Sequence, residues 1–535
     1  MLLADKRIEL DPRPAPRRLA PVEVVMIGHC PSVDGNAEWK RLARDAAVLA
    51  EIASLGFTAE VTRLRALDDG TSEAAPGDGA LQALYRLPIP IHSLGYFQAL
   101  FPQAFDTDGD YRSALAGRAA WLPAAVQDFF AGSETGFRDT RTLWIIRVPE
   151  SEGVRAFLPQ PDAKLIEPSQ LGAFERALLV ARAGIIALPD LERLLVPPAL
   201  PDIPRVRLEN PDPVFLPCGT EIDDTHRERR HSNEMPAASA SLPALDIVPP
   251  IVRALARLRP DMQCLLALPF DLRPRDELPA PSREFLDHIA QIAGHAGSEA
   301  GGGEAVTPYI ELAEKLRHLQ LVWPYLRGAE QSLGSPCGLI AGMQARVAQR
   351  HGAWRSIAGR PLPGVSLPWP PVTQQQATAL REAPGVTVLL QRAGTLQVDD
   401  EALCAPCLPA ADLRRMRATS RALEHWRSAE VMRFMGWVRR ELQALGEQLV
   451  FDVDPHDPRP ELALRSFFGR LHDAGALRGA RPEDAYRIRQ LPDAESTIGF
   501  EIEIAPAYPI DRLRITFLHD RHAGAADARI EAIDG

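Results

Sequence analysis

The chain has 535 residues, with 60 Lys and Arg against 71 Asp and Glu and a formal net charge of −11. That balance excludes the basic surface that general nucleic-acid or anionic-membrane binding requires. The length predicts roughly two to four domains, and an apolar fraction of 46% with 24% charged residues is that of a globular protein.

Forty-nine prolines, about twice the usual share, are scattered without a PxxP repeat, which predicts stiff loops and strand ends. Six cysteines (Cys30, Cys218, Cys264, Cys337, Cys404, Cys407) are sparse and read as reduced cytosolic thiols. The opening Met1 to Arg7 turns charged too soon for a signal peptide, and no apolar run reaches the roughly eighteen residues of a membrane span. A cytoplasmic site of synthesis and folding is the expectation.

Residues 1–20 read as an extended arm, in which Arg7 to Leu10 alternates like a strand and Pro12, Pro14 and Pro16 forbid a helix. Val22 to Ile27 is a buried-type strand ending at Gly28. Ala37 to Leu55 has helical period, with Trp39, Leu42, Ala46, Leu49 and Ile52 on one face and Gly56 as its stop. Thr58 to Arg63 alternates as a strand, and residues 68–79 form a polar loop. Leu122–Phe130 is helical, Leu143 to Val148 is a strand, and a helix from Phe174 to Ala183 feeds a strand at Gly184 to Leu188. Ile251 to Leu258 is helical and Cys264 to Pro269 is a strand. Strand alternating with helix predicts an α/β layer. Two polar excursions, 219–242 and 294–304, interrupt it.

The last hundred residues carry the densest signals. A helical run from Val431 to Leu445 leads into a short strand at Leu449 to Asp452, then a second amphipathic helix ending in Gly475 and Gly479. Ala485 to Ile488, Glu503 to Pro509 and a closing strand at Arg512 to Phe517 follow. This order resembles the inner domain of contractile tail sheath proteins from phages and related injection systems. Upstream correspondences extend the resemblance over most of residues 22–518: Val24 to Gly28, then Ser93, Phe97 and Phe101, then Ala125 to Gly132 with its paired Phe129 and Phe130, and Arg147-Val148. Val322 to Leu326, Ser335 to Arg346 and His351 to Trp354 continue it. Three departures mark a divergent member. Residues 1–20 lack the family's Pro-Gly-Val-Tyr element, about fifty residues from Gly35 to Tyr85 look inserted, and Gln397 to Cys404 replaces a Trp-Gly-Ala-Arg-Thr motif.

The glycine spacing has its own physical reading. Gly338 and Gly342 lie four apart on a predicted helix, beside Ala341 and Ala345, and so permit close backbone packing.

Four other clusters carry residues capable of chemistry. Cys404 and Cys407 have the spacing of a zinc half-site or redox pair but no second pair nearby. His29-Cys30 ends a strand with no recognisable partner. Asp106, Asp108 and Asp110 suggest a calcium loop, yet Tyr111 and Gly117 stand where an EF-hand requires Gly and Glu. Asp223, Asp224, His226 and His231 lie in a polar excursion rich in both signs of charge. No dinucleotide, P-loop, nucleophile-elbow or HExxH motif occurs. The expectation is no catalytic residue, no metal and no cofactor.

The helical region 412–449 carries an apolar stripe at Val431, Met435, Val438, Leu442, Leu445 and Leu449, with more arginines than acids around it. A solvated basic face is one reading. The resemblance implies another, in which Arg427, Arg433 and Arg440 face an acidic inner tube.

The resulting expectation is an α/β multidomain subunit with an α+β inner domain and extended terminal arms. Its divisions are an arm at 1–20, outer and middle α/β domains at 21–364, a sheath-type inner domain at 365–520, and a donated strand at 521–535 formed by Arg529, Ile530, Glu531, Ala532 and Ile533. The resemblance implies a structural subunit, assembled in a bacterial cytoplasm into a virion tail or phage-tail-like particle. It would stack with itself around an inner tube protein and meet baseplate and tail-terminator proteins. A baseplate or cap paralogue, and an α/β hydrolase, are the competing readings.

Overall fold

The computed structural model describes residues 20–30, 35–68, 84–101, 119–132, 141–161, 165, 167–197, 244–272, 278–294, 315–328, 333–364, 366–382, 385–405, 427–448, 458–491, 497–507, 512–520 and 525–533. The arm at 1–19, the two polar excursions apart from Gly294, the Asp106–Asp110 cluster, Cys407 and the predicted strand at 449–452 lie outside them.

The larger unit is built on one eight-stranded sheet in the order β13-β12-β8-β5-β4-β1-β3-β2. Its strands are β1 (Glu23–Gly28), β2 (Ile89–Ile91), β3 (Leu143–Arg147), β4 (Ala183–Ala187), β5 (Gln263–Ala267), β8 (Leu319–Trp323), β12 (Val386–Arg392) and β13 (Thr395–Val398). All neighbours pair in parallel except the antiparallel edges β2 and β13. A sheet covered on both faces needs strands apolar on both sides, and β1 supplies that. Val24 and Met26 enter one core, Val25 and Ile27 the other. Smaller pairings join β6 (Phe270–Asp271) to β7 (Ala280–Pro281), and β9 (Tyr325–Arg327) to β10 (Leu333–Gly334) and β11 (Leu367–Trp369).

Helices α1 (Gly35–Arg44), α2 (Ala46–Ser54), α3 (Thr58–Asp68), α4 (Leu94–Leu100) and α5 (Trp121–Phe130) belong with the first core. Helices α6 (Ala173–Leu178), α7 (Pro189–Leu195), α8 (Ala244–Leu258) and α9 (Arg283–Gly294) belong with the second. On the first face α10 (Cys337–His351) crosses α5 with no room between them. A Cβ on Gly338 would come within 2.4 Å of the Ala125 carbonyl oxygen, and one on Gly342 within 2.3 Å of that of Phe129. The four-residue glycine spacing is thus a backbone-to-backbone contact, as expected.

Several local expectations are corrected. Thr58 to Arg63 is helical, because Phe57, Val61 and Leu64 fall at four- and three-residue steps and all three are buried. The helix expected over 37–55 breaks at Asp45, whose carboxylate accepts the Val48 N–H at 3.1 Å and starts a second helix. Gly56 then takes φ +94°, the positive value its stop position requires. The helix expected over 174–183 ends at Leu178, and the chain turns before β4.

Helix α11 (Gln374–Glu382), β12 and β13 do not open the inner domain: β12 pairs in parallel with β8, so the large sheet continues to Val398. The second unit begins with α12 (Ala429–Gln448) and continues through α13 (Arg459–Asp473) and α14 (Pro482–Ala485). An antiparallel meander of β14 (Tyr486–Gln490), β15 (Thr497–Ile504), β16 (Arg512–Asp520) and β17 (Ala525–Ile533) completes it. Its apolar face, with Phe500, Ile502, Ile504, Ile515 and Phe517, joins Leu464, Phe468 and Leu471 of α13 in the first core.

Candidate assembly surface

Helix α12 fastens the second unit to the large sheet through its arginines, which corrects their expected role. Arg433 is 2% exposed and donates to both oxygens of Glu401, at 2.9 and 3.3 Å. Glu401 also accepts from Gln344 Nε2 at 2.7 Å, Ser356 Oγ at 2.8 Å and the Ile357 N–H at 2.8 Å. Burial alone raises that carboxyl, but Arg433 and these donors outweigh it and hold Glu401 below its ordinary range.

Arg440, 8% exposed, donates to the Asp261 carboxylate at 3.0 Å and to the Asp261 carbonyl at 2.8 Å. Arg259 grips the same carboxylate from the other side at 2.8 Å. Against the upward push of burial, the two guanidiniums hold Asp261 well below the carboxylate range. Gly436 makes the approach possible, since a Cβ there would lie 2.2 Å from the Asp261 carbonyl oxygen. Arg433 and Arg440 are therefore interior bolts and cannot face a tube. Arg427 is half-buried and donates to the Arg381 carbonyl at 3.2 Å. The basic count on this helix misled because arginines on the apolar side had buried carboxylates waiting for them. Of the predicted stripe, Val431, Met435, Val438 and Leu442 are buried and Leu445 is half-buried, while Leu449 lies outside the described residues.

Beside this network stands an acid without a cation of its own. Glu430 has one buried oxygen lacking any partner, while Arg433 donates to Glu401 and to the carbonyls of Ala353 and Arg355. Burial, then repulsion from Glu401, pushes its carboxyl up to about 7.

The two sheets treat their edges differently. In the large sheet β2 is three residues long with Pro90 inside it and Pro88 just before, and proline cannot donate to a ladder. The other edge, β13, is covered: Gly359 N–H bonds the Val398 carbonyl and Leu362 N–H bonds the Leu396 carbonyl, both at 2.8 Å. In the small sheet the start of β14 is capped by the Pro482 carbonyl, which accepts the Tyr486 N–H. Leu491 N–H bonds the Gly499 carbonyl and Ala505 N–H bonds the Ala485 carbonyl, both at 2.8 Å. That alternation turns the backbone N–H and C=O of Ile488 away from β15. The solvent face of this sheet is charged. Arg489 pairs with Glu501, which also meets Arg514 at 2.6 Å, and Arg529 is exposed.

The strand expected to be donated is found at home. Arg529, Ile530, Glu531, Ala532 and Ile533 lie opposite Thr516, Ile515, Arg514, Leu513 and Arg512 of the same chain. Residues 525–528 extend that strand, and the ladder runs nine residues from Ala525 to Ile533. Asp527 is drawn to Arg439 of α12 at 3.0 Å, and Ala528 is fully buried.

A parallel α/β sheet carries ligands where its strand order reverses, at the carboxyl ends of the strands. Here that point lies between β1 and its neighbours β3 and β4, and it is filled from within. One Asp190 oxygen accepts the His29 and Leu122 N–H groups at 2.8 and 3.0 Å, and the other accepts the Trp121 N–H at 2.8 Å. His29, Cys30 and Asp190 are all buried. Next to them Glu192 accepts the Ala267 N–H at 2.9 Å, and burial pushes its carboxyl up to about 7. Sequence reasoning missed Asp190 and Glu192, although an acid just after a buried strand, in the first turn of a helix, is the available signal. Cys30, Cys264, Cys337 and Cys404 are buried free thiols, and no group of three or more metal-ligating side chains converges among the described residues. No described helix is long and apolar enough to cross a membrane.

No protein-family model matches the chain, and no curated protein does. Among solved structures, it aligns over 96% of its length with 97% of a chain from the anti-feeding prophage baseplate, at 15% identity and a TM-score of 0.47. It aligns over 96% with 96% of a chain from an extracellular contractile injection system sheath complex in the contracted state, at 11% identity and a TM-score of 0.43. With a sheath tail protein from Listeria innocua the figures are 94% and 97%, 8% identity and 0.45. At these identities and scores the likeness assigns no family and no activity.

Proposed function

We propose that this chain is a structural subunit of a contractile sheath, polymerising around an inner tube by strand exchange and contracting to drive the tube through a target envelope. The ordered motifs of the sequence supply the sheath reading. The observation that carries it physically is the outer strand β14 of the small sheet, whose Ile488 backbone faces away from its ladder, beside a large sheet with one edge shortened and the other covered. Exposed, unpaired strands are normally suppressed in a monomer and are the standard means by which one chain adds to another.

In this reading the large unit is the rigid body, bolted through Arg433 and Arg440, and the small sheet is the connector. Its partners are further copies of itself, an inner tube protein, and baseplate and terminator proteins. The protein acts mechanically, assembling in a bacterial cytoplasm into a tail or tail-like particle. Electron microscopy of the purified chain, with and without its genomic neighbours, tests this. Long tubes are expected. A single ring would move the chain to a baseplate or cap role, and a persistent monomer in every mixture would overturn the proposal.

A further inference from the structure

In the single chain the outer edge of β16 is already occupied. Strand β17 pairs with it along nine residues, Arg439 fixes Asp527 at 3.0 Å, and Ala528 is buried. A neighbour's strand cannot take that edge until this one leaves.

We infer that β17 is a latch: it closes the β16 edge of the free chain, pinned by the Arg439–Asp527 pair, and assembly proceeds by exchanging it for the β17 of a second copy. This rests on the strand-exchange reading above. Exchange replaces a strand with an identical one, so the ladder and the ion pair re-form between chains and the end state differs little in strand energy. The obstacle is kinetic, because the nine-residue ladder must open first and leave a row of unpaired backbone groups. A latch of this kind keeps newly made subunits apart until something favours opening. It also explains why a strand with the pattern of a donated arm lies in its own sheet.

Two consequences separate a latch from a passive edge strand. Arg439→Ala removes the pin in both the closed and the exchanged state, so it speeds assembly about two- to five-fold, the worth of a partly exposed ion pair, without changing the final particle. Thr516→Cys with Arg529→Cys places thiols on directly opposed residues of β16 and β17, and oxidation of the monomer then locks the latch.

The test follows assembly of the full-length double variant by light scattering and electron microscopy, oxidised and reduced. The reduced form should assemble and the oxidised form remain monomeric. Oxidation after assembly should instead link neighbouring chains covalently. If oxidised and reduced forms assemble at the same rate, the latch is overturned while the assembly reading stands. If the reduced form and Arg439→Ala both stay monomeric under all conditions, the two fail together.

Discussion

The large and small sheets of this chain meet the same problem in opposite ways. Both expose edges when cut out of context. In the large sheet one edge is shortened and filled with proline at Pro88 and Pro90, and the other is covered by residues 358–362. In the small sheet β14 carries no proline and is capped at its start by the Pro482 carbonyl, and β17 is held by a ladder and one partly exposed ion pair. Proline and a covering segment thus guard the large sheet, and the small sheet relies on neither. On the proposed assembly reading, the small sheet is the one that is extended, and the interior of the large unit holds it in place.

The largest expected effect lies in that hold. Removing one partner of a buried ion pair strands the other without compensation, so Glu401→Ala or Arg433→Ala should cost about 3–5 kcal/mol in denaturant unfolding. A loss below about 1 kcal/mol would show that the bolt is idle and that the two units are joined only by apolar packing.

Next comes the helix crossing beneath the sheet. Gly338→Ala or Gly342→Ala forces a methyl group into the Ala125 or Phe129 backbone and should cost about 1–3 kcal/mol. Neither change touches the small sheet, so the folded fraction should assemble normally. Loss of assembly at unchanged stability would blur the contrast between the units.

Protonation offers a sharper probe of the junction. Glu192 and Glu430 have carboxyls raised from 4.5 to about 7 in the folded chain. Between those values the folded state keeps protons that the unfolded chain has released, so stability falls as pH rises from about 4.5 to 7 and levels off above. Glu401 and Asp261 are shifted the other way, and their contribution is lost only as pH drops below the ordinary carboxylate range. Glu430→Gln and Glu192→Gln should each flatten the decline by on the order of 1–3 kcal/mol between pH 5 and 7.5, read by thermal denaturation. An unchanged slope in both variants would mean that neither site holds a proton in the folded chain.

The smallest effect on stability, and the largest on assembly, belongs to the open edge. Because residue 488 turns its N–H away from β15, Ile488→Pro leaves the β15 ladder intact and should shift the melting temperature less than the substitutions above. It should nonetheless slow polymerisation if β14 receives a strand. Unaltered assembly would leave the β16–β17 side as the sole connector.

How much of this was legible beforehand follows from the range of each interaction. Buried strands such as Val24 to Gly28 and the α12 stripe declare themselves locally, because period and apolarity are local properties. The glycine pair at 338 and 342 could be read as close packing before its partner helix was known. The roles of Arg433 and Arg440 could not, since Glu401 and Asp261 reach them from 32 and 179 residues away. The helix at 58–68 was misread because Thr58 and Val61 favour strands in isolation, and only packing of Phe57, Val61 and Leu64 decides otherwise. The pairing of β17 with β16 was missed for a related reason: an alternating strand fits its own sheet edge and a neighbour's equally well.

The most direct test of the central claim is a high-resolution reconstruction of whatever particle the chain forms with its genomic neighbours. The account predicts a backbone strand of an adjacent copy hydrogen-bonded to β14 or β16, with the large sheets unpaired at their edges. Subunit contacts made by the large sheet, with both edges of the small one bare, would contradict it.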